Sequence, residues 1–113
     1  MSKIRCVRCP ENGLAEVVEI ENDLASLQKE VGGYIETLPL VDDIIIVCNE
    51  DGKINGMMPN RGVTWHYRDV EVINGDFLIC KVKDEEFDSM DRNEAMKWAY
   101  KFYYEHSITE VEK

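Results

Sequence analysis

Residues Gly32 to Arg61 read GGYIETLPLVDDIIIVCNEDGKINGMMPNR. Ile44-Ile45-Ile46-Val47, at its centre, is β-branched throughout and too short for a helix, so it reads as a strand buried on both faces. Tyr34 to Leu38 alternates in character before it, and Pro39 to Asp43 supplies a proline and two acids for a turn between the two. An antiparallel hairpin is expected. After Val47, Cys48 to Lys53 contains Asp51-Gly52, a tight-turn signal at which the chain should reverse, because glycine tolerates positive φ and aspartate bonds its own backbone. Ile54 to Gly62 then gathers two glycines, a proline and two asparagines within nine residues, which reads as a loop. Loops carried on a rigid sheet are where function concentrates.

Working outward, Lys3 to Arg8 and Leu14 to Ile20 read as strands around the turn residues Cys9 to Gly13, giving an N-terminal hairpin. Asn22 is the expected N-cap of a short helix whose apolar stripe is Leu24, Leu27 and Val31 and whose stop is Gly32. On the far side, Val70 to Ile73 and Asp76 to Val82 flank Asn74-Gly75, the strongest short hairpin signal, so a third hairpin is expected there. Asp84-Glu85-Glu86 is a charged exit. Asp91 and Glu94 have capping-box spacing at the start of a last helix, along which Ala95, Trp98, Ala99, Phe102, Tyr103 and His106 recur with helical period. Residues 107–113 are polar and expected to fray.

The expected fold is therefore α+β: one small domain over residues 1–113, with a mostly antiparallel, twisted or barrel-like sheet of about six to seven strands and two helices. A chain of 113 residues can bury roughly 65% of its unfolded surface and fold alone. Its 44% apolar and 32% charged residues fit a globular protein, and its net charge of -10 argues against gripping nucleic acid directly. No apolar run is long enough to span a membrane, and the start MSKIRC lacks a leader's apolar segment. The cytoplasm, with four reduced cysteines, is the expected setting.

Four constellations bear on chemistry. Cys6 and Cys9 form C-x-x-C, but neither a second pair nor histidines at ligand spacing complete a zinc shell, and the pair runs into a turn rather than a helix start. No metal or other cofactor is expected, and Cys48 and Cys80 read as core. Asn49 to Gly52 has the oxygens of part of a calcium loop without its remaining ligands, and a turn explains it. Lys53, Asn55, Asn60 and Arg61 suit a nucleotide-like or phosphate-bearing ligand, since asparagine offers donor and acceptor together and arginine a planar fork. The alternative is that the asparagines hold the loop and Arg61 pairs with Asp42 or Asp43. Thr64 to Arg68 sets two aromatics, a histidine and an arginine together, fit to stack a base, anchor a partner or cap the end of a barrel. No activated nucleophile is evident, so no enzymatic activity is expected.

The run GGYIE, then VCNEDGKINGMMPNR, then Gly75-Asp76-Phe77 resembles a family of small domains of unknown function encoded in bacteriophages and mobile elements, over about Glu19 to Leu78. The resemblance implies an accessory role in a host cell. Two functions are open on this reading. One is a non-enzymatic binder of a small anionic or nucleotide-type molecule, through Lys53, Asn55, Asn60 and Arg61 with Tyr34 and Trp65, used to counter host defence signalling. The other is an acidic inhibitor or adaptor that binds a basic host protein by imitating nucleic acid. Pairing of exposed strand edges into a homodimer is compatible with either.

Overall fold

The computed structural model describes residues 3–65 and 69–112, so His66, Tyr67 and Arg68 of the aromatic cluster lie outside the described residues. The elements in order are β1 (Lys3–Cys9), β2 (Glu16–Glu21), α1 (Leu24–Val31), β3 (Ile35–Val41), β4 (Ile44–Asn49), β5 (Pro59–Trp65), β6 (Glu71–Asn74), β7 (Phe77–Lys83), β8 (Glu86–Asp88), α2 (Arg92–Lys101) and β9 (Ile108–Val111). The fold is α+β, with two sheets and no closed barrel. The larger sheet has the order β2-β1-β7-β4-β3, with β8 paired to β7, and the smaller has β6-β5-β9. All pairings are antiparallel except β5 with β9.

β4 lies between β3 and β7 and faces two cores. Ile44, Ile46 and Cys48 enter a core shared with the smaller sheet and α2, where Val63, Ile73, Phe77, Trp98 and Phe102 also pack. Val47 enters a second core, beneath α1, with Ile4, Cys6, Ile20, Leu27, Val31, Leu78 and Cys80. The layers are thus α1, the larger sheet, and the smaller sheet with α2.

The two expected hairpins β1–β2 and β3–β4 form, but the second turn is only Asp42-Asp43, because Pro39 to Val41 continue β3 through a bulge. Asp42 takes a positive φ of 53° there. The third expected hairpin does not form: β6 belongs to the smaller sheet and β7 to the larger, so Asn74-Gly75 carries the chain from one to the other. Gly75 is needed at that crossing, since its φ is 81° and a Cβ on it would lie 2.6 Å from the Met57 sulfur. Asp84 and Glu85, both at positive φ, instead turn β7 into the short β8, the backbone form of a tight hairpin turn.

Asp23 rather than Asn22 caps α1, accepting from the Ser26 N–H at 2.7 Å, and Gly32 ends the helix in the left-handed conformation. Of the expected stripe, Leu27 and Val31 are buried and Leu24 is exposed. Asp91 caps α2 by accepting from the Glu94 N–H at 2.8 Å. Tyr103 and His106 fall beyond the helix, which stops at Lys101. The C-terminal segment is not frayed throughout: Ile108–Val111 pairs in parallel with β5, and Thr109 and Val111 are buried.

Candidate functional site

Asp51-Gly52 does not return the chain along β4. Residues 50–56 wind into consecutive turns, in which the Asn55 N–H donates to the Asp51 carbonyl at 2.8 Å and the Met57 N–H to the Gly52 carbonyl at 2.9 Å. The loop ends before Pro59, so Asn60, Arg61 and Gly62 lie in β5 and not on the loop. Both polar side chains are inside, each 1% exposed.

Arg61 uses all its guanidinium donors within the fold. Nε reaches the Phe102 carbonyl at 2.7 Å, Nη1 the Pro10 carbonyl and Asn60 Oδ1, and Nη2 the carbonyls of Gly13 and Tyr103. Those carbonyls belong to the C-terminal end of α2 and the β1–β2 connection, where helix and strand pairing end; the Tyr103 carbonyl also accepts from the Ala15 N–H at 2.9 Å. Burial lowers the Arg61 pKa from its ordinary value. Asn60 is the bulged residue of β5. Its Nδ2 donates to the carbonyls of Cys9 and Gly75 at 2.8 and 2.9 Å. The pair bolts the smaller sheet to β1, the β6–β7 crossing and α2. Neither Asp42 nor Asp43 is the partner of Arg61; Asp43 lies 4.0 Å from Lys81.

The other expected site residues are dispersed. Lys53 and Asn55 are exposed on the loop, and Lys53 sits 4.0 Å from Glu71. The Tyr34 ring is exposed, and its carbonyl accepts from the Glu50 N–H at 2.9 Å. Trp65, half-buried at the far end of β5, donates from Nε1 to the Leu40 carbonyl at 2.7 Å and so ties the smaller sheet to β3. Asn49, read from the sequence as part of a turn, is buried and holds the loop: Nδ2 donates to the Val31 carbonyl and Oδ1 accepts from the Asp51 N–H.

Cys6 and Cys9, three positions apart on a strand, face opposite sides of the larger sheet, one in each core, so they cannot grip one ion together. All four cysteines are free and buried. Burial pushes the Cys9 thiol up to about 12 and the Cys48 thiol up to about 11. The Cys80 thiol is raised too, first by its hydrogen bond with Cys6 and then by burial. None of these three is poised as a thiolate. No group of three or more metal-ligating side chains occurs among the described residues.

What the sequence did not reveal is a cleft of about 420 Å³ between β3, which ends the larger sheet, and β6, which ends the smaller. Its wall includes Glu36 and Leu38 of β3, Glu71 and Ile73 of β6, and Glu50 to Ile54 of the loop. Gly52 closes one end against β6: a Cβ there would stand 3.1 Å from the Asn74 carbonyl oxygen. Four acidic residues, Glu36, Glu50, Asp51 and Glu71, thus line the cleft with one cationic residue, Lys53. Beside the cleft, Val70, just before β6, and Val72 form an exposed aliphatic patch with Ile108 across Gly62. No helix among the described residues is long and apolar enough to cross a membrane.

Fold and site together define a small two-sheet α+β domain with an acidic cleft between two sheet edges. The chain belongs to the family described as a domain of unknown function, DUF3846, which matches residues 4–103. The match includes the β1 cysteines, which precede the stretch over which the resemblance runs. No curated protein and no solved structure matches the chain.

Proposed function

We propose that the protein is a non-enzymatic binding module that receives a basic protein partner at the cleft between β3 and β6. The lining carries this reading: four acidic residues border the cleft with Lys53 as its one cationic residue, and no ion pair among the described residues reaches Glu36, Glu50 or Asp51. A cationic group entering there gains attraction from several acids at once, whereas an anion meets repulsion. The anionic-ligand alternative has lost its main ligand, because every Arg61 donor is engaged inside the protein. The exposed aliphatic patch of Val70, Val72 and Ile108 adds the kind of surface a protein partner covers. The mobile-element setting implied by the resemblance makes that partner a protein of the host cytoplasm.

Binding to a lysine-rich peptide array, read against rising salt and against the double variant Glu36→Lys, Glu71→Lys, tests the proposal. Binding should weaken steeply with salt and disappear in the variant. A nucleotide-sized mass retained in native mass spectrometry and lost in Lys53→Ala would overturn it.

A further inference from the structure

Resting on that basic-partner reading, we infer that the partner binds as an added β-strand alongside β3. The edge has a definable phase. In an antiparallel pair, residues alternate between turning both backbone groups toward the partner strand and turning both away. The Tyr34 carbonyl accepts from the Glu50 N–H, which places Tyr34, Glu36 and Leu38 in the set facing β4. Ile35 and Thr37 therefore turn their N–H and C=O groups away from β4, to the side where no strand among the described residues pairs with β3. Pro39 falls in the same outward set, where its missing N–H costs the sheet nothing. The bulge between Pro39 and Val41 ends the stretch able to pair.

Strand addition at such an edge uses the backbone for affinity and alternate side chains for specificity. Glu36 and Leu38 present one face of β3 to the cleft, while Ile35 packs on the other face against the core beneath α1. A partner segment with basic residues on its cleft side and β-branched residues on the other complements both faces by cross-strand pairing. Its cations also come within reach of Glu71, on the edge that bounds the cleft from the smaller sheet.

Charge selects this edge and this kind of occupant. The opposite edge, β2, also carries acids, but Glu16, Glu19 and Glu21 lie within 3.5, 3.3 and 4.0 Å of Arg8, Arg5 and Lys3. Neutralised in that way, β2 offers a basic segment little. A second copy of this chain would bring Glu36 against Glu36 under a net charge of -10 on each molecule.

The probe is a short capped peptide alternating lysine and valine, compared with the same sequence N-methylated at alternate positions, which keeps charge and removes strand pairing. Amide hydrogen exchange is read by NMR at low salt. The unmodified peptide should slow exchange at Ile35 and Thr37 by about tenfold or more, and the methylated one should bind about tenfold more weakly. Glu36→Lys should weaken the unmodified peptide. Equal binding of both peptides with Ile35 and Thr37 unaffected overturns strand addition and leaves the basic-partner reading standing. Binding of neither overturns both. Protection of the same amides in a dimer of the free chain overturns the inference in favour of self-pairing.

Discussion

Arg61 is the residue whose surroundings differ most from those its sequence neighbours suggest. Proline, asparagine and glycine beside it signal a loop, yet Pro59 opens a strand, Asn60 forms its bulge, and Val70 packs where a Gly62 side chain would go. Nothing local in the sequence says that the carbonyls of Phe102 and Tyr103 will arrive from forty residues away. Arg61→Ala should cost about 3–5 kcal/mol, because it empties a buried site and strands several carbonyls. Arg61→Lys should cost about 2 kcal/mol or more, since an ammonium has three donors and cannot form the planar fork. Urea unfolding measures both, and an unchanged midpoint in Arg61→Ala would mean the guanidinium is free for a ligand. The buried thiols set a second expectation. Cys9 and Cys48 keep their protons in the folded state to about pH 12 and 11, against an ordinary value of 9.0 when unfolded. The folded state therefore holds more protons above pH 9, so their contribution is whole below that pH and is lost as pH rises through 11 to 12. Unfolding midpoints followed into alkali should fall, and less so in Cys9→Ala than in the parent.

At the scale of elements, strong local signals were legible and partnerships were not. The isoleucine run, the Asp91 cap and the Gly32 stop follow from local chemistry and appear where it put them, and both helices form, although α1 is capped by Asp23 and α2 ends at Lys101, short of the stripe's Tyr103 and His106. Asn74-Gly75 shows the limit: the dipeptide does specify a sharp change of direction at positive φ, but whether the next strand pairs back or crosses to another sheet depends on distant residues. β9 was illegible for the same reason, since Ile108 to Val111 becomes a strand only by parallel pairing with β5. β8 was hidden because Asp84 and Glu85 adopt conformations more often given to Asn-Gly. The cap can be tested alone. Asp91→Ala should lower stability by about 1 kcal/mol with little change elsewhere, as read from thermal unfolding, whereas Asp91→Ser should recover most of it.

For the whole molecule, composition predicted the sign of the surface and topology decides where that sign matters. Some of the carboxylates are paired with cations of the larger sheet, including Glu30 of α1 with Arg8 at 2.7 Å and Glu94 of α2 with Lys81 at 3.2 Å, while the net charge stays at -10. In the cleft carboxylates outnumber their cation, and the two sheets stop short of closing there, leaving edges bordered by Glu36 and Glu71. Repulsion among exposed acids costs little individually and is screened by salt. The double variant Glu36→Lys, Glu71→Lys should therefore fold with stability within about 1 kcal/mol of the parent, or slightly above it at low salt. The same variant should lose binding to basic peptides. Stability and binding move apart only if the acids serve recognition more than the fold. A variant that unfolds as it loses binding would instead place Glu36 and Glu71 among the groups that hold the sheets together.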